Sequence, residues 1–199
     1  MKTILIILGV LLLVFTVVQI FALQSRSGIE SYPFSVAKKY QDFEIRNYEA
    51  SLFTSVKLST KDYQEGSSKG FSILAGYIFG GNEKEEKISM TSPVAMSLDD
   101  SMTVMFMVPK NLKRENLPKP NQSKIEFREE PAKTVAAINF GGWADSEKIE
   151  KYKIQLKEAL DREGIVYTNR FHFLGYNPPY DFFGRKNEVI VELEGNYEN

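Results

Sequence analysis

Two helical patterns, each bracketed by pairs of period-two runs, leave this chain few folds to adopt. Alternation sets Phe43, Ile45 and Asn47 on one side of a first run, and Leu52, Thr54, Val56 and Leu58 on one side of a second. A helical pattern over about 61–79 follows, with Ser67, Phe71, Leu74 and Ile78 on one face and Gly80-Gly81 closing it. Two further runs carry Ile88, Met90, Val94 and Met96, then Met102, Val104, Phe106 and Val108. After a loop at 109–123 the order repeats: strands at 125–130 and 134–140, a helix, then strands at 166–176 and 188–194. The second helix, 148–163, aligns Ile149, Tyr152, Leu156, Ala159 and Leu160; Asp145 or Ser146 caps it and Gly164 ends it. Strand-strand-helix-strand-strand thus occurs twice. Neither copy has enough sheet to cover itself, so the expectation is an α+β domain in which both copies share one curved or barrel-like sheet of about eight strands, with a helix against each half.

Ahead of this domain, residues 4–23 are apolar except for Gly9, Thr16 and Gln19. Twenty residues at ~1.5 Å each span a hydrocarbon core of about 30 Å. No small-x-small cleavage site stands out near Phe21-Ala-Leu-Gln-Ser25, so residues 1–25 are expected to be an uncleaved anchor, with a cleaved signal peptide as the alternative. Residues 26–31 then form a linker and 32–199 the domain. With Lys2 inside, the domain lies on the extracytoplasmic side.

A net charge of −1 gives no electrostatic footprint for nucleic acid. The chain has no Cys and one His, His172, which excludes disulfides, thiolate chemistry and paired catalytic histidines. His172 shares a strand face with Arg170 and Leu174 and reads as a structural or surface residue, with ligand contact as the alternative. The carboxylates of Asn82-Glu-Lys-Glu-Glu-Lys87 alternate with lysines, as in a solvated turn rather than an acid/base pair. Gly141-Gly-Trp143 reads as a strand-to-helix turn. Met90, Met96, Met102, Met105 and Met107 fall on two adjacent strands, as core filling or as a pliable wall for a large flat ligand. The connection 176–187 is longer than a hairpin needs and sets Tyr180, Phe182 and Phe183 beside Arg185 and Lys186. It is either a rigid loop folded onto its own domain or a clasp for an apolar, carboxylate-bearing ligand.

Three stretches together resemble the SOUL/heme-binding protein family: Tyr40-Gln-Asp-Phe-Glu-Ile-Arg-Asn-Tyr-Glu49, Gly80-Gly-Asn-Glu-Lys-Glu-Glu-Lys-Ile-Ser-Met-Thr-Ser-Pro-Val-Ala-Met96 and Gly175-Tyr-Asn-Pro-Pro-Tyr-Asp-Phe-Phe-Gly-Arg-Lys-Asn-Glu-Val189. Val108-Pro109 and Phe140-Gly-Gly-Trp-Ala144 add to the likeness, which covers about 32–194. The resemblance implies a distorted β-barrel with two flanking helices, here behind a transmembrane helix, and non-enzymatic binding of heme or a related tetrapyrrole. It implies a surface groove in which the first helix supplies Lys69, Ile73, Leu74 and Tyr77, and the loop before the last strand supplies Tyr176, Tyr180, Phe182, Phe183 and Arg185. Lys69 would pair with a propionate. Where one branch carries a proposed iron-ligating His, this chain has Asn47, and Asp181 stands where some members are basic. The implied heme is therefore held by apolar contacts rather than by strong iron coordination. The alternative is an effector- or partner-binding module whose ligand is not a tetrapyrrole.

Overall fold

The structure, a computed structural model, describes residues 2–26, 28–99, 101–178 and 180–195, with the side chains of 21–26 left aside. Pro179 of the expected clasp and the last four residues of the expected domain lie outside the described residues.

The apolar leader forms helix α1 (Lys2–Arg26), which continues past residue 25 into the expected linker. Its segment Lys2–Ile20 has a mean hydropathy of 2.8 and the length of a membrane span or of a signal sequence.

Nine strands follow: β1 (Phe34–Lys39), β2 (Glu44–Tyr48), β3 (Ser51–Leu58), β4 (Val94–Ser97), β5 (Met102–Met107), β6 (Ile125–Glu130), β7 (Lys133–Gly141), β8 (Tyr167–Gly175) and β9 (Lys186–Leu193). Helix α2 (Tyr63–Ile78) sits between β3 and β4, and α3 (Ser146–Arg162) between β7 and β8. All strand pairs are antiparallel, in the order β1-β2-β7-β9-β8-β4-β5-β3-β6. The expected duplication is present with a swap. The first strand of each copy leaves its own half: β2 pairs with β7, and β6 pairs with β3. The two halves meet at β4 and β8.

Three expectations need correction. Among the described residues there are nine strands rather than about eight, because 34–39 adds β1 at one edge. The barrel is an open, curled half-barrel, since β1 and β6 end the sheet without pairing to each other. The strand expected from Ile88 shrinks to β4. Ile88 N–H instead bonds Ile78 O at 2.8 Å, and Pro93 has no N–H to give a ladder.

Alternation assigns the strand residues to two apolar clusters. Val56, Val104, Phe106, Phe171, Phe173, Val189 and Val191 meet the helices. Phe53, Met105, Met107, Val135, Ala137, Leu174 and Ile190 line the opposite face, with Tyr32 and Tyr48. Helix α2 packs on β3 and β5, and α3 on β7, β8 and β9. Asp62 caps α2 by accepting from Glu65 N–H at 2.8 Å, and Asp145 caps α3 by accepting from Lys148 N–H at 2.7 Å. Gly70 lets α2 approach β5 closely, since a Cβ there would lie 2.7 Å from Val104 Cβ. That approach sets the rotation of α2: Gly66, Gly70, Ile73, Leu74 and Tyr77 are buried against the sheet, and Phe71 stands half-exposed at its margin.

Candidate functional site

Because each helix covers its own half, the β4–β8 seam between them is left open on the helix side. A groove of about 720 Å³ occupies that gap. Val94 and Met96 of β4 and Phe173 and Gly175 of β8 line it, and these share the helix-facing side of the sheet. One wall is α2 with its C-cap, where Tyr63, Ser67, Phe71, Ala75 and Phe79 form one inclined row of i, i+4 neighbours. Rings at 63, 71 and 79 alternate with small side chains at 67 and 75, which leaves hollows between them. The other wall is the turn after β7 (Trp143, Ala144) and the β8–β9 connection (Asn177, Pro178, Arg185).

The rings are fixed from behind. Tyr63 stands edge-on to Phe173 at 5.1 Å, and Phe71 to Phe106 at 5.3 Å. Arg185 stacks on Trp143 at 4.0 Å while donating to Pro178 O at 3.0 Å and Asp181 O at 2.7 Å. Asn177 Oδ1 accepts from Lys186 N–H at 2.7 Å, and its amide donates to the Asp181 carboxylate at 2.6 Å. Asp181 is buried and belongs to this internal wiring of the loop. Burial raises the Tyr63 hydroxyl above its ordinary value.

The residues expected to form the site are dispersed. Lys69 is exposed on the other side of α2, 3.6 Å from Glu65. Ile73, Leu74 and Tyr77 turn into the core, where Tyr77 donates to Pro118 O at 2.9 Å. Tyr176 points to the opposite face of the sheet and donates to Glu188 Oε2 at 2.6 Å. Tyr180, Phe182 and Phe183 form the exposed tip of the loop; Phe182 reaches the rim at Trp143, with centroids 5.9 Å apart. Arg185 lines the groove. The groove lies between α2 and the β8–β9 loop, and α2 presents to it the face that carries Phe71. The tetrad spacing from Tyr63 to Phe79 was a signal for it in the sequence.

Among the described residues, no three His, Asp or Glu side chains converge as a metal site. Asn47 accepts from Thr134 Oγ1 at 2.8 Å, away from the groove lining.

The opposite face carries a polar cluster. Arg46 donates to Glu188 Oε2 and Glu44 Oε2, each at 2.9 Å. Burial opposes its charge, but Glu188, Tyr48 and Glu44 outweigh that and raise its pKa. Tyr48 is pushed up to about 12 by burial and then by Glu188. On the same face His172, opposite Ser97 and Ile190, is held down to about 4 by burial and by Lys133 and Arg128, against Glu130. Unfolded chains take up a proton near 6.5 that the folded His172 refuses, so stability falls as pH drops from 6.5 toward 4. Glu130 acts at lower pH: despite burial, Lys133 and Arg128 hold its carboxyl below the ordinary 4.5. Denaturant melts between pH 6.5 and 5 are therefore expected to lose roughly 2 kcal/mol in the parent. The same melts of His172→Gln will be nearly flat; an equal slope in both would refute the assignment.

The profile described as "SOUL heme-binding protein" matches residues 29–192. The chain belongs to this family. Heme-binding protein 2 of Mus musculus is 29% identical over 168 residues, covering 79% of this chain and 82% of that protein. Heme-binding protein 1 of Sus scrofa is 28% identical over 174 residues, covering 81% and 92%. Among solved structures, the C-terminal domain of EcmrR superposes with a TM-score of 0.61 at 14% identity, over 77% of this chain and 98% of that one. A hydrolase from Listeria innocua does so with 0.55 at 10% identity, over 79% and 94%. These two likenesses concern the fold alone.

Proposed function

We propose that this SOUL-family chain binds heme or a related tetrapyrrole, without turning it over, in the groove along the β4–β8 seam. We further propose that α1 anchors it as a single-pass membrane protein with the domain on the extracytoplasmic side, as a carrier, scavenger or buffer. The observation that carries the reading is a groove of about 720 Å³ with flat rings on both walls and an apolar floor. Such volumes and linings suit a large planar ligand. Phe71, Phe79 and Trp143 would hold the ring faces, Met96 and Val94 would lie beneath, and Arg185 supplies positive charge at one edge for carboxylates. Heme bound there would bring its iron's redox and ligand-binding chemistry. Met96 offers the one thioether among the described lining residues, and that lining has no imidazole, which supports weak coordination of the iron.

The test is titration of hemin into the full chain in detergent micelles. A saturable Soret shift with one-to-one quenching of Trp143, the only tryptophan, is expected. No saturable change at micromolar protein would overturn the reading. Native mass spectrometry of chain purified from its host would then decide for a non-tetrapyrrole effector or a protein partner.

A further inference from the structure

We propose that the tip of the β8–β9 loop is a lipid-contacting surface held against α1, so that the loop wall of the groove stands at the bilayer interface. The inference rests on the reading of α1 as the anchor. The tip is tied to α1 at two levels. The Phe15 ring lies 5.9 Å from Phe182 and 6.2 Å from Phe183. One turn further on, the Gln19 amide donates to Tyr180 O at 3.2 Å and accepts from Phe182 N–H at 3.4 Å. Gln19 interrupts the apolar run, and its two bonds show what a polar side chain does at that level.

Phe182 and Phe183 remain 52% and 63% exposed even with Phe15 against them. Two adjacent exposed rings at a loop tip call for a cover. Lipid is the cover that fits, because the patch is continuous with the flanks of α1, whose apolar side chains stand equally open. A partner that buried the tip alone would leave those flanks in water. Phe15 lies eight residues before Leu23, where the apolar run ends, which is about 12 Å along the helix, so the tip reaches past the headgroups into the acyl region. Behind the tip come Trp143 and the Arg185 guanidinium stacked on it, the pairing of ring and cation found at headgroup level.

The sole tryptophan reports on this contact without a label. The full chain is reconstituted in phosphatidylcholine vesicles whose acyl chains are brominated near the glycerol or near the methyl end. Shallow bromines are expected to cut Trp143 emission by about half, and deep ones less, as for an interfacial ring. In Phe182→Ser/Phe183→Ser the shallow quenching is expected to fall to near the unbrominated baseline, with the thermal melt unchanged. Unquenched Trp143 in the parent, or equal quenching in the double variant, would overturn the proposal. Alkaline extraction of the same vesicles separates the two claims. Chain released into the supernatant defeats the anchor reading and this inference with it; chain retained with Trp143 unquenched defeats this inference alone. Neither readout involves a tetrapyrrole.

Discussion

Replacing Arg46 by Met is expected to destabilise the folded chain by about 3–5 kcal/mol, the usual cost of removing one partner from a buried ion pair. The Arg46 and Glu188 side chains are 3% and 0% exposed, and their contact at 2.9 Å links β2 to β9 across β7. Without the guanidinium, Glu188 keeps the Tyr176 hydroxyl and Lys186 at 3.0 Å, but it loses the charge that shares its burial. Adding Glu188→Gln removes the orphaned charge while keeping an acceptor for Tyr176, so the double variant is expected to regain at least half of the loss. Urea melts of both variants and the parent measure this. A loss below about 1 kcal/mol for Arg46→Met would mean that the pair is as weak as a surface one.

The second large effect distinguishes the two faces of α2. Phe71→Glu is expected to weaken hemin binding about 100-fold. The variant removes a half-buried ring worth about 1 kcal/mol and puts a carboxylate in an apolar groove at about 2 kcal/mol more. Each 1.4 kcal/mol is about tenfold in Kd. Lys69→Glu, two residues earlier and a larger change of charge, is expected to alter Kd by less than about twofold, because that side chain stands on the opposite flank of the helix. Phe71 is 38% exposed, so the substitution leaves the fold in place. Titrations of both variants decide the matter. Equal weakening by the two, or greater weakening by Lys69→Glu, would move the ligand out of the seam.

How far the sequence reached depended on whether a property is local. Alternation in residues 171–174 placed Phe171 and Phe173 against His172 and Leu174, and the sheet keeps them on opposite faces. Asp145 and Gly164 bound α3 as their chemistry requires, with Gly164 at φ +66°. FSVAKK of β1 carries no clean alternation, so its pattern does not mark it as a strand. The rotation of α2 was misread because its buried stripe contains Gly66 and Gly70, which a hydrophobic pattern does not count. Only the facing Met102 and Val104 on β5 show that those glycines look inward.

The candidate site divides the same way. The expectation of a groove between a helix and a ring-bearing loop came from the family resemblance, which is carried by motifs confined to short stretches. Which side chains line it did not follow from them, because the groove is the space left where β4 meets β8, 79 positions apart at Val94 and Phe173, both in its lining. Residue types and their period determined most of the strands, the two domain helices, their caps and the duplicated order, since each depends on neighbours within a few positions. The swap of β2 and β6 between halves, the uncovered seam, the inward turn of Tyr77 and Tyr176, and the contact of Phe15 with the loop tip were decided by tertiary packing. Each of these is a pairing between distant segments, and its free energy exists only once both are in place.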